Sequence, residues 1–269
     1  EKELECTACM ALSHMAAGIA GVFELHARSR PEAPAACDEG GVWTYAELWA
    51  HSGRAAAWLV QCGIRATSPG PAPRPLALWL PRGREWYAFC LAAWRLGVPV
   101  VALSDDLPGE GGKAAERERA ERVARELQPV AVLLHDKAAS PGWPLDCLVL
   151  SMAEGLMAMA APGGGEATPL TATAAATVRP EDLLCYVFTG GTTRHSKCVA
   201  VSHAMALWEV SNYTIALRGR VSSTDRMLQY SSAFWGAAVF GQLDLALAFG
   251  ACVALVHAPG PDAIAAACT

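Results

Sequence analysis

PLALWLPRGREWYAFCLAAWRLGVPVVAL, residues 75–103, decides the fold. PLALWLP (75–81) is a short apolar run of the kind a strand buried on both faces requires. REWYAFCLAAWRLG (84–97) has helical apolar spacing and closes on a glycine, which suits a left-handed helix end. VPVVAL (98–103) is β-branched and apolar, so it reads as a second buried strand. Strand, helix, glycine and strand make a βαβ unit, which requires a parallel sheet and a right-handed crossover. The far half repeats the theme. RMLQY (226–230) reads as a strand, SSAFWG as a turn, AAVFGQLDLALAFG as a helix closing on Gly250, and ACVALV (251–256) as a strand. LAAWRLGVPVVAL and LALAFGACVALV thus share one helix–glycine–strand pattern, which predicts two similar α/β layers.

Outward from these units the punctuation is clear. In VWTYAELWAHSGRAAAWLVQCG (42–63), Thr44 and Glu47 have capping-box spacing. Tyr45, Leu48, Trp49, Ala56, Leu59 and Val60 then share one helical face. CDEGGV (37–42) predicts a hairpin turn, and TSPGPAPRP (67–75) a loop. KAAERERAERVARELQ (113–128) predicts a helix with Glu118–Arg122 and Glu121–Arg125 pairs on a solvated face. PVAVLLH (129–135), CLVLSM (147–152) and DLLCYVF (182–188) read as strands, and SHAMALWEVSNYTIAL (202–217) as a helix capped by Ser202. Residues 161–180 are low in complexity and read as a linker or long surface loop. The expected organisation is a first α/β subdomain at 19–160 and a second α/β segment at 181–269.

Composition narrows the classes. Of 269 residues, 53% are apolar and 17% charged, as in a globular chain rather than a disordered one. The net charge of −5 gives no electrostatic reason to expect nucleic acid or an anionic membrane as partner. No apolar run approaches the ~20 residues that span a bilayer. The acidic start EKELECTACM lacks an initiator Met, which argues against a signal peptide and for a chain cut from something longer. Most of the ten cysteines lie in apolar segments, as in a reducing compartment, so a cytoplasmic location is expected. Cys6 and Cys9 form an isolated CxxC, without the second pair a metal site needs.

The chemistry concentrates in FTGGTTRHSKCV (188–199). A polyphosphate loop needs glycines that let backbone approach, N–H and hydroxyl donors, and a cation. Thr189, Gly190, Gly191, Thr192, Thr193 and Lys197 supply all of these, between an apparent strand and an apparent helix. It is not a Walker A loop: Ser196 stands where that pattern has its second glycine, and Cys198 where it has Ser or Thr. His195, Cys198 and His203 lack a fourth ligand nearby, so no metal site is expected.

YVFTGGTTRHSKCVAVSH (186–203) resembles the phosphate-binding signature [YF]TSG[TS]TGxPKGV of the adenylate-forming superfamily. That group contains acyl-CoA synthetases, peptide-synthetase adenylation domains and luciferases. VWTYAELW, LAAWRLGVPVVALSDDLP, EDLLCYVF and MLQYSSAFWGAAVFGQLDLALAFGACVALV resemble further segments of that family, in the same order, from about Ile19 to His257. The resemblance implies the α/β fold of the family's large N-terminal domain, incomplete here. It also implies ATP and Mg²⁺, with a carboxylic acid activated as its adenylate and passed to CoA or a carrier-protein phosphopantetheine. Thr189, Gly190, Gly191, Thr192 and Thr193 would hold phosphates, Lys197 would offset charge on the departing pyrophosphate, and Phe234 and Trp235 would lie at the acyl pocket.

Departures from the pattern leave alternatives open. Arg194, Ser196 and Cys198 replace a glycine, a proline and a glycine of the signature. Arg194 either carries strain of roughly 1 kcal/mol, if that site needs positive φ, or adds a phosphate-facing cation. Trp235 stands where peptide-synthetase domains have an Asp that pairs with an α-amino group. This disfavours an ordinary α-amino acid and prefers an acyl or aryl acid, unless Trp235 is simply packing. The family's later motifs, with the Mg²⁺ ligand and the C-terminal lysine, do not occur in these residues. The sequence therefore reads as the N-terminal part of an acid ligase whose missing half is a partner, inactive alone; the alternative is a non-catalytic relative that binds a nucleotide or serves as an interaction module.

Overall fold

Ile19–Ser29 forms helix α1, which turns Ile19, Val22, Phe23 and His26 inward at i, i+3, i+4, i+7 spacing. The hairpin β1 (Pro34–Asp38) and β2 (Gly41–Thr44) then turns where CDEGGV predicts, with Gly41 at φ +120°. Thr44 ends the hairpin and starts α2 (Tyr45–Gln61). Its hydroxyl accepts from the Glu47 N–H, and the Glu47 carboxylate accepts from the Thr44 N–H, which completes the capping box. The structure, a computed structural model, describes residues 18–65, 73–103, 109–135, 147–161, 178–189, 197–257 and 260–267.

The βαβ unit is present as β3 (Leu76–Trp79), α3 (Arg84–Arg95) and β4 (Val100–Leu103), with the two strands adjacent and parallel. Helix α3 buries every residue from Trp86 to Trp94, because it is enclosed by its neighbours on all sides. Gly97 closes it at φ +67°. Next come α4 (Gly109–Leu127), β5 (Ala131–Leu134), β6 (Leu148–Ser151) and α5 (Met152–Ala160). Beyond residue 178 lie β7 (Leu183–Phe188), β8 (Cys198–Ser202), α6 (His203–Ala216) and β9 (Arg226–Gln229). A helical stretch then runs through α7 (Gly236–Ala238), a π segment (Val239–Leu243) and α8 (Asp244–Phe249). Gly250 closes it at φ +63°, ahead of β10 (Cys252–Leu255) and α9 (Pro261–Ala267).

Among the described residues these strands build two sheets, in the orders β6-β5-β3-β4-β7-β8 and β2-β1-β10-β9. Only the β1–β2 and β7–β8 pairs are antiparallel. The repeated helix–glycine–strand units deliver equivalent strands: β4 lies between β3 and β7, and β10 between β1 and β9, all parallel. Both sheets take strands from either side of residues 161–180; Val100 pairs with Cys185, and Ala36 with Val253. Polar side chains tie these partners inside the core. The Trp94 indole donates to the Leu184 carbonyl at 3.0 Å, and the Tyr45 hydroxyl to the Ala251 carbonyl at 3.0 Å.

Candidate functional site

The two described members of the glycine–threonine stretch face each other. β7 and β8 pair antiparallel with Phe188 opposite Cys198, and the Thr189 N–H donates to the Lys197 carbonyl at 3.0 Å. Thr189 and Lys197 therefore form the neck of a hairpin loop, and both are exposed. Gly190, Gly191, Thr192 and Thr193, with Arg194, His195 and Ser196, lie outside the described residues.

The expectation that this loop leads directly into a helix is corrected, because β8 intervenes. Its Cys-Val-Ala-Val-Ser sequence is β-branched at alternate positions and forms the edge of the larger sheet against β7. Only then does the Ser202 hydroxyl cap α6 by accepting from the Met205 N–H. Lys197 is thus followed by a strand rather than by a helix.

The turn before α7 is joined to the same strand end. The Phe188 N–H donates to the Phe234 carbonyl at 3.1 Å, and Phe188 and Trp235 form a parallel bridge. Phe188 and Phe234 stack with centroids 4.1 Å apart, and Trp235 meets Phe234 edge-on at 5.4 Å. Arg119 of α4 lies over the Phe234 ring at 3.8 Å, and Arg122 lies over Phe188 at 5.6 Å. The solvated face expected of α4 is therefore only part of that helix, since Glu116, Ala120, Val123 and Ala124 are also buried. The i,i+4 charge pattern looks the same whether an arginine reaches into water or across a ring, so the sequence did not distinguish the two. Arg122 also pairs with Glu126 at 3.1 Å.

Beside the loop neck opens a cavity of about 830 Å³. Its walls are the end of β7 (Val187 to Thr189), Val199 and Val201 of β8, one face of α6 (Met205, Trp208, Glu209) and the Trp235–Ala237 turn. Trp235 forms part of the wall, whereas Phe234 lies behind it in the aromatic stack, 1% exposed. The size and apolar lining suit the body of a small molecule. Thr189 supplies the polar edge, and Glu209 is the only ionisable group among the described residues of the wall. Burial raises the Glu209 carboxyl above its ordinary pKa.

His203 has a structural task. It is 1% exposed, and its Nδ1 accepts from the Ile19 N–H at 3.2 Å, which docks the start of α1 onto α6. Burial lowers its pKa to about 4, so the ring is neutral near pH 7. Cys198 is half-buried and its thiol is shifted upward by that burial. Among the described residues, no group of three or more His, Cys, Asp or Glu is placed to hold a metal ion. No described helix is long and apolar enough to cross a membrane.

Comparison with known proteins bears on the whole chain. Nonribosomal peptide synthetase 13 of Aspergillus fumigatus is 28% identical over 211 residues, 78% of this chain and 9% of that protein. Surfactin synthase subunit 1 of Bacillus subtilis is 25% identical over 224 residues, 81% of this chain and 6% of the relative. The chain thus spans a small part of the curated relatives it matches. Among solved structures, VinN superposes with a TM-score of 0.70 at 25% identity, over 89% of this chain and 57% of its own. The N-terminal subdomain of Klebsiella oxytoca NpsA superposes with a TM-score of 0.72 at 21% identity, over 93% of this chain and 56% of its own. The description that matches residues 23–269 is AMP-binding enzyme, and to that family the chain belongs.

Proposed function

We propose that this chain carries the phosphate loop and the acyl-binding wall of an adenylation domain. In that reaction a carboxylate oxygen attacks the α-phosphate of ATP, the bond to pyrophosphate breaks, and an acyl-adenylate forms. A thiol then attacks the acyl carbon and AMP leaves. The observation that carries the reading is the juxtaposition of an exposed lysine–threonine loop neck with a large apolar cavity, both built on the end of β7.

The described residues fit these ligands. Lys197 offers a cation at the loop neck, where charge on departing pyrophosphate would be offset, and Thr189 adds a hydroxyl. Gly190, Gly191, Thr192 and Thr193 complete the cradle by their place in the sequence. Mg²⁺ would come with the nucleotide phosphates. Trp235 presents only an indole N–H as its polar group, so it shapes the cavity for an acyl or aryl acid and offers no acceptor to an α-ammonium group. Because the curated relatives are nonribosomal peptide synthetases, the favoured acceptor is a carrier-protein phosphopantetheine rather than CoA.

The test is acid-dependent exchange of labelled pyrophosphate into ATP across a panel of acyl, aryl and amino acids. Exchange with at least one acid is expected when the chain is joined to the C-terminal half of the domain, and little from these residues alone. If the folded protein exchanges with none while still binding nucleotide, a non-catalytic binding role replaces this reading.

A further inference from the structure

We propose that Glu209 reads the substrate by pairing with an amino group on the acyl part of the acid, so that the protein selects an amine-bearing acid over its purely apolar counterpart. This rests on the reading above that the cavity holds the acid.

Helix α6 turns two faces to two environments. Ala206, Val210 and Thr214 enter the core, whereas Met205, Trp208 and Glu209 line the cavity. A carboxylate is not needed to build an otherwise apolar wall, and it is costly there unless something pairs with it. Glu209 Oε2 is buried and accepts no hydrogen bond among the described residues. A second acid stands behind it: Asp244, at the start of α8, is 2% exposed and its Oδ2 is likewise unpartnered. Helices α6 and α8 pack on each other, and burial raises the Asp244 carboxyl, with the nearby Glu209 charge adding to the rise. Burial and the Glu209 charge together hold Asp244 in its neutral form, so Asp244 does not offset the Glu209 carboxylate. Trp235 cannot accept a hydrogen bond from an ammonium group, and Thr189 contributes only a hydroxyl. Glu209 is therefore the one carboxylate among the described residues of this wall, and an ammonium in the cavity would satisfy the acceptor that the fold leaves open.

The test is calorimetric binding of matched acyl-sulfamoyl adenosines, each acid with and without one aliphatic amine: aminomethylbenzoyl against methylbenzoyl, and aminobutanoyl against butanoyl. For the unsubstituted protein, the amine member of at least one pair is expected to bind roughly 30-fold tighter, as for a desolvated charge pair. In E209Q that ratio should fall to about one, and E209D should restore part of it, with each variant's fold checked by circular dichroism. If no amine member is preferred, or E209Q keeps the preference, the inference is overturned while the adenylation reading stands. If neither member of any pair binds, both fall.

Discussion

Gly250 and Gly63 both end helices with positive φ, +63° and +86°, yet alanine should cost very different amounts at the two sites. At Gly63 an added Cβ meets nothing within 4 Å, so Gly63→Ala carries only the backbone penalty, about 1 kcal/mol. At Gly250 the Cβ would lie 2.7 Å from Arg30 Nη1 and 2.8 Å from His26 Nδ1. The Arg30 guanidinium can swing aside, losing its bond to the Gly250 carbonyl. His26 cannot move so easily: it is 2% exposed, packs on Tyr45 and holds the Leu247 carbonyl through Nε2 at 2.8 Å. Displacing it adds about 1 kcal/mol for the hydrogen bond and about 1 kcal/mol for repacking. Gly250→Ala should therefore destabilise by about 3 kcal/mol, or about 6–12 °C in Tm, against about 2–4 °C for Gly63→Ala. Thermal unfolding followed by circular dichroism measures both. Equal shifts would refute the reasoning, because they would show that His26 is not fixed by its surroundings.

Further outcomes follow from the same physics. Burial lowers the pKa values of His26 and His203 to about 4, against an ordinary value of 6.5, so the unfolded chain binds more protons between those limits. Stability from this source is complete above pH 6.5 and is lost as pH falls towards 4, by roughly 3 kcal/mol per ring at most. A His26→Gln, His203→Gln variant should show a flatter acid limb in denaturant titrations than the parent; an unchanged slope would contradict the assignment. Cys37 is held at a pKa of about 7 chiefly by the hydrogen bond it accepts from Cys252, 3.8 Å away. Among the described cysteines it should react first with iodoacetamide at pH 7, whereas Cys90 and Cys185, fully buried and raised by that burial, should react last. Peptide mapping that finds Cys90 or Cys185 labelled ahead of Cys37 would defeat this. Lys197→Ala should cut pyrophosphate exchange at least ~100-fold with little change in Tm, since the side chain is exposed; a change under threefold would remove it from the catalytic account.

Where the signal was local, the sequence was legible. The Thr44–Glu47 capping box and the βαβ unit around α3 declare themselves within a few residues. Partnership was not legible: nothing near Ala36 announces that its neighbour is Val253, because pairing between distant strands is decided by the assembled core. Strand β8 was missed because the glycine-rich stretch resembles a loop that runs straight into a helix, and five residues are too few to contradict that pattern. The π segment keeps near-helical apolar spacing, so Val239–Leu243 read as ordinary helix. At the site, Trp235 was flagged by departing from a family pattern. Glu209 carried a signal that went unread, being the only charged residue between Ala204 and Leu217 in an otherwise apolar and neutral helix.

The central claim is that a carboxylate oxygen of the acid bonds to the α-phosphate. Incubating the chain, joined to the C-terminal half of the domain, with ATP, a thiol acceptor and an acid labelled with ¹⁸O in both carboxylate oxygens tests it directly. AMP analysed by mass spectrometry should contain one labelled oxygen, because the bridging oxygen leaves with AMP when the thiol attacks the acyl carbon. Unlabelled AMP formed in step with acyl-thioester would contradict the account.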